Sequence, residues 1–536
     1  MRLKIFLIFI FAGIISAQET KTDQGIELPD FVITGIQSVT IPTVDKPEPE
    51  VISALSNEFF TPVHSPEDFN IVNLSAPTDH NLSLPAEDKN LFNGEVKFGV
   101  GAYTLPVGHF IYSKTFDNAF IYSKIWGLNE TEFVNNAGYN VSGGKANADF
   151  FVNNGSSFLP GAKISFGGKY FRENYNFYGS VNPNRERETE NGLLEASINK
   201  VNSPVFDFGA GAKVNYFDIA RNDFNERVFS LNGFGEYKMT FNSVFGKIEY
   251  ISQSIKNNFL LDEETDYLEL EGGVKFKPMN SLNFMFGANI SKQGNNSFFT
   301  PVASIKTKIN SYLSFLGEFS PSGEFLTTRQ LVNQNMFFSV EDDRNIFIKH
   351  KSKLKLALQY QYDKYYEISA GVAYQKSRNY PYFSDEGNLF DAQYGIFNLE
   401  KLEEVKKYSV FLDLLFHLGP LGQLYGEAEL QDFTNRFDKQ IPYHPEIKAS
   451  AAYGYSFPNG LNFKSELEYN SKVFTTLDND EQLPSFVELS VSLGYNIFDN
   501  LILTLDLQNI LGRKNYFLRY YESKPFDIIA GIEYKF

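Results

Sequence analysis

The sequence predicts an all-β protein, a transmembrane antiparallel β-barrel of about 22 strands preceded by an extended arm. Three observations predict it. Segments in which apolar and polar residues alternate recur from Leu91 to the end, and because strand side chains alternate faces, each opposes an apolar side to a polar one. The connections between these segments alternate between short and long. No stretch after residue 20 approaches ~18 consecutive apolar residues, the length a spanning helix needs. The mean hydropathy of −0.27 is also too polar for a helical membrane protein. A barrel escapes both tests because only every second residue meets lipid.

The chain opens with a basic Met1-Arg2-Leu3-Lys4, an apolar run from Ile5 to Ile15 and a small-residue cut point at Ser16-Ala17. This pattern predicts a secretory signal peptide over 1–17. Residues 18–90 are polar and broken by Pro29, Pro42, Pro47, Pro49, Pro62, Pro66, Pro77 and Pro85. Each proline removes a backbone donor and discourages pairing, so the stretch reads as a periplasmic arm. Residues 26–35 form its one strand-like island.

Residues 91–536 read as the barrel. Strands are expected to begin near residues 92, 105, 118, 139, 160, 191, 206, 227, 244, 265 and 281. The series continues at 299, 312, 346, 365, 403, 422, 443, 460, 484, 500 and 526. Turn-forming stretches such as Phe116-Asp117-Asn118, Pro458-Asn459-Gly460 and Phe498-Asp499 close one set of connections. Long polar and aromatic stretches, including 171–190, 322–345, 378–402 and 511–525, make the other. Short turns at one rim and long loops at the other are the mark of a membrane barrel. A soluble propeller would instead repeat a motif every ~40–50 residues, and none is visible.

The two faces are readable in individual strands. Leu501, Leu503, Leu505 and Leu507 oppose Thr504, Asp506 and Gln508. In the last strand Phe526, Ile528, Ala530, Ile532, Tyr534 and Phe536 are outward. Aromatic residues near strand ends, among them Trp126, Tyr360, Tyr362, Tyr453 and Tyr455, suit interfacial girdles. Charges confined to the inner face imply a wet lumen, since a lipid-facing charge costs ~2–4 kcal/mol near the midplane.

Little of the chain suggests chemistry. The net charge of −17 argues against a nucleic-acid partner, which needs a basic face. With no cysteine there is no disulfide or thiolate site. His64, His80, His109, His350, His417 and His444 have no metal-ligand spacing, and no catalytic motif or cofactor fingerprint is present. The expectation is a non-enzyme. Lys349, Lys351, Lys353 and Lys355 alternate along one strand and would form a basic stripe on the lumen side. Such a row attracts anions, or it is neutralised by inward acids on neighbouring strands.

The residues also resemble the TonB-dependent receptors of Gram-negative outer membranes. The strand count matches barrels whose lumen holds a plug. Leu507-Gln508-Asn509-Ile510-Leu511-Gly512-Arg513-Lys514-Asn515-Tyr516, followed by a loop and the final strand, is similar to the end of those barrels. Ile528, Ala530, Ile532, Tyr534 and Phe536 are similar to the signal read by the barrel-assembly machinery. Glu27, Leu28, Pro29, Asp30, Phe31, Val32, Ile33 and Thr34 resemble a TonB box, the extended segment that adds a strand to a periplasmic energy transducer. The family places a folded plug of well over a hundred residues between box and barrel, whereas here about 55 lie between Gly35 and Leu91.

The resemblance implies uptake of a solute across the outer membrane, with the arm and the C-terminus in the periplasm. The lumen is then filled by the arm and inward loops or by a separate plug or lipoprotein partner. A passive channel and a docking scaffold are the rival readings.

Overall fold

The computed structural model describes residues 93–536 apart from 154, 156–158, 202, 221–223, 258–261, 280, 341–345, 363–364, 386–393 and 418–420. The segments expected to be a signal peptide, an arm and a TonB-box-like stretch lie outside the described residues.

Alternation produces strands wherever it was read. The wall begins with β1 (Gly94–Gly101), β2 (Thr104–Phe116), β3 (Ala119–Glu130), β4 (Tyr139–Phe151), β5 (Lys163–Asn176) and β6 (Glu186–Lys200). It continues through β7 (Phe206–Ala220), β8 (Phe224–Lys238), β9 (Asn242–Asn257), β10 (Glu263–Met279), β11 (Leu282–Gln293) and β12 (Asn296–Lys308). The next stave is broken into β13 (Leu313–Phe319) and β14 (Gly323–Leu326), followed by a helix, α1 (Thr328–Gln334). Then come β15 (Ile346–Tyr362) and β16 (Tyr366–Arg378), and a loop hairpin of β17 (Tyr380–Ser384) and β18 (Asn398–Leu402). The wall resumes with β19 (Val405–His417), β20 (Gln423–Asn435), β21 (Ile447–Ser456) and β22 (Leu461–Asn470). It ends with β25 (Phe486–Phe498), β26 (Leu501–Gln508) and β29 (Asp527–Lys535), and two further loop hairpins intervene: β23 (Val473–Phe474) with β24 (Gln482–Leu483), and β27 (Tyr516–Leu518) with β28 (Tyr521–Glu522).

Neighbours pair antiparallel all the way round, and β1 pairs with both β2 and β29, so the sheet closes. Counting β13 and β14 as one stave gives 22. Closure leaves no free edge for lipid to meet, which is why spanning sheets are barrels. The largest offset between an expected and an observed start is at β6, residue 191 against Glu186.

Exposed apolar residues lie on the outer face: Phe98, Ile125, Leu194, Phe229, Ile248, Leu270, Val372, Leu412 and Leu503. Near the turn rim aromatic rings cluster, as in Tyr312–Tyr362 (5.1 Å between centroids) and Tyr366–Phe416 (5.4 Å). Tyr453 and Tyr455 are on the outer face of β21, as expected. Trp126 is not in a girdle. It sits opposite His109 on the inner face, with Ile125 outward. The parity of β3 therefore puts the indole in the lumen.

Ile528, Ala530, Ile532, Tyr534 and Phe536 all face out, while Asp527 and Ile529 are buried. Phe536 is tied into the seam: its amide donates to the Gly94 carbonyl (2.9 Å) and its own carbonyl accepts from Asn93 and Gly94 (2.7 and 2.9 Å). Its ring stacks with Tyr534 and Phe110 at 6.3 and 6.1 Å.

Candidate functional site

The candidate site is the mouth at the loop rim, where the chain departs from regular staves. β12 pairs with β13 only up to Ala303↔Phe319. Above that point β14 pairs with the upper end of β15, through Gly323↔Lys349 to Leu326↔Ile346. This short hairpin packs against the inner wall. Phe325 and Phe347 pack with Tyr267 of β10, the Tyr267 hydroxyl donates to the Gly323 carbonyl (2.9 Å), and Ser291 of β11 accepts from the Gly323 amide (3.0 Å). A Cβ on Gly323 would lie 2.6 Å from both Phe347 and Ser291. Glycine is what allows the approach.

The other face of the hairpin feeds a buried core at the mouth. Leu326, Ile346 and Ile348 join Leu331 and Val332 of α1, Phe338 and Val340 after it, and Phe217, Ile219, Phe224 and Ile255 from the inner wall. A second cluster gathers Tyr175, Phe177, Phe337, Phe397, Tyr443 and Tyr521. Phe337 and Tyr521 stack with centroids 3.5 Å apart and planes 14° apart. Aromatic burial on this scale explains why loops so polar at their tips order inside the barrel.

Specific anchors fix α1. Thr327 caps it, and Gln330 reaches back to the Thr327 amide (2.8 Å), a capping box. The buried carboxylate of Glu226 on β8 accepts from the amides of Thr328 (2.7 Å) and Arg329 (3.0 Å) and from Gln253. Behind α1, the Met336 carbonyl accepts from Tyr175 (2.7 Å) and Arg187 (2.8 Å). Phe337–Ser339 then bonds to Phe397 of the next loop, with Ser339 N donating to Phe397 O at 2.7 Å. Burial holds His444 in the loop after β20 neutral, its pKa lowered to about 3 with Lys448 and Lys407 adding to the effect. Its Nδ1 lies 2.8 Å from the Pro442 carbonyl oxygen.

The four-lysine stripe requires correction. The β15–β16 register skips between His350 and Ser352, leaving Lys351 as the bulged residue. A bulge inserts one residue and resets the alternation. Lys353 and Lys355 face the lumen, where Lys355 stands opposite Glu318 and over the Phe411 ring (4.7 Å). Lys349 falls on the opposite face with Phe347, its ammonium 5.4 Å from that ring. The bulge instead turns His350 inward, 2.8 Å from both Glu324 and Ser377. That network is buried and ties the hairpin to the wall.

No family sequence model matches this chain, and no curated protein sequence is similar to it. Solved structures do share the fold. The siderophore receptor PirA from Acinetobacter baumannii aligns with a TM-score of 0.62 at 10% identity over 83% of this chain and 81% of that one. The FrpB iron transporter from Neisseria meningitidis aligns at 0.63 and 11% over 83% and 82%. The ferric-catecholate import receptor Fiu from K12 E. coli aligns at 0.62 and 9% over 84% and 82%. The class is therefore defined by architecture, a closed 22-stranded antiparallel transmembrane barrel. The likeness to these iron and siderophore receptors is one of fold and covers 83–84% of this chain.

Proposed function

We propose that this chain is an outer-membrane transport barrel of the TonB-dependent-receptor type, taking up a solute through a lumen stoppered at the loop rim by its own loops. The observation that carries this reading is the packed mouth. A passive diffusion channel needs a standing aqueous path, and the burial of Phe337, Phe338, Phe397 and Tyr521 at the loop rim supports a closed one. The turn rim, where Phe536 closes the seam, faces the periplasm in this reading. Energy enters through residues 26–35, which add a strand to a TonB-type transducer. Ile528, Ala530, Ile532, Tyr534 and Phe536 are what the assembly machinery reads. A separate plug or lipoprotein would occupy the lumen from the periplasmic side. The barrel carries out no catalysis. Iron chelates, the cargo named for the structural relatives, are the first solutes to try.

Deleting residues 26–35 tests the energised step. Uptake is expected to stop while the barrel remains assembled and heat-resistant on gels. Undiminished uptake by the deletion overturns the reading.

A further inference from the structure

Most charges on the inner wall are matched. Lys97 pairs with Asp506 (3.2 Å), Lys163 with Asp149 (2.9 Å), Lys238 with Asp207 (2.6 Å), Lys247 with Glu271 (3.1 Å) and Lys407 with Glu429 (2.8 Å). A patch on β3, β4 and β5 departs from this pairing. Lys124, Lys145 and Lys169 are direct cross-strand partners on β3, β4 and β5, all on the inner face. Directly opposed side chains sit about 4.5–5.5 Å apart at Cβ, and like charges so placed repel.

None of the three has a carboxylate ion pair among the described residues. Lys145 lies 5.0 Å from the Tyr122 ring, and Lys169 lies 4.4 Å from Phe171 and 5.8 Å from Trp126. The surrounding acids are engaged elsewhere: Glu95 with His109 (2.6 Å), Glu173 with Tyr139 (2.8 Å) and Glu195 with Lys213 (4.0 Å). From above, Arg329 of α1 adds a further cation, 5.8 Å from the Phe171 centroid and donating to Asn215 (3.1 Å). All three lysines are half-buried, so solvent in the lumen reaches them.

We propose that Lys124, Lys145 and Lys169, roofed by Arg329 and flanked by Trp126 and Phe171, form an anion-binding subsite directly beneath the stopper. Its ligand carries clustered carboxylate or phosphate groups. Such a ligand supplies the counter-charge that the wall lacks, and the aromatic edges give it a dry flank. As a station on an uptake path the subsite rests on the transport reading. As a binding site it does not.

Trp126 is the chain's single tryptophan, so its fluorescence reports this patch alone. In purified full-length protein, quenching by iodide is compared with quenching by neutral acrylamide and by caesium, with and without inorganic pyrophosphate. The cationic row should concentrate iodide, raising its quenching constant at least about threefold over that of caesium. Pyrophosphate should abolish the excess, and K124Q/K145Q/K169Q should remove it while acrylamide quenching persists. Lys124→Gln alone, at the lysine with no aromatic partner among the described residues, should give an intermediate loss if the triple variant does not assemble. Iodide and caesium quenching alike in the wild type, with no response to pyrophosphate, overturns the proposal whatever the transport assays show.

Discussion

The wall and the stopper are made from one chain by different rules. In the wall, each residue's environment follows from its parity: Ile532 meets lipid because Glu533 does not. In the stopper, environment follows from contacts between separate loops, as where Tyr521 stacks on Phe337 and Phe397 bonds to Ser339. A wall built by parity tolerates sliding errors poorly but is specified locally. A stopper built from distant loops is expected to open at lower cost than the wall unfolds. Changes to one should therefore leave the other standing.

The largest separation is expected from Phe337→Ala. Truncating a buried aromatic costs ~3–5 kcal/mol, borne by the stopper, so protease should nick the 327–345 loop while the barrel stays heat-resistant. Ile532→Arg inverts the experiment. It places a charge against lipid at ~2–4 kcal/mol, so the urea midpoint of the wall should fall with loop protection unchanged. Glu226→Gln weakens two charge-assisted bonds to the start of α1, worth ~1–3 kcal/mol together. Loop proteolysis should accelerate less than for Phe337→Ala.

The last contrast is in pH. His444 is neutral in the closed stopper with a pKa of about 3, and a released histidine titrates near ~6.5. Docking is thus fully favoured above that value. It weakens as pH falls through it toward 3, because the released state takes up a proton that the docked state refuses, at up to about 1.4 kcal/mol per unit. Loop proteolysis in mild acid should rise in the wild type and flatten in His444→Gln.

The same contrast explains what was legible in the sequence. Leu501, Leu503, Leu505 and Leu507 announce a stave because the signal has a period of two and lies within a few residues. Phe536 announces the seam for the same reason. The lysines from 349 to 355 misled because a bulge at Lys351 carries no local mark and resets every side chain above it. The Lys124–Lys145–Lys169 row was invisible because register, which brings three separated lysines to one height, is fixed only when the strands pair. The stopper was legible only in part. Long aromatic loops were expected at the rim, and inward loops were one of the expected fillings of the lumen, but not which residues of separate loops meet there. Thr327-Thr328-Arg329-Gln330 does carry a capping-box signature, a cue to α1 within a region otherwise read as loop.

Single-channel recording tests the central claim, that the barrel is closed at the loop rim by its own chain. Wild-type protein in planar bilayers should show little conductance, and removal of residues 328–340 should produce large, steady openings. A wild-type barrel that conducts steadily, or a deletion that remains sealed, would contradict it.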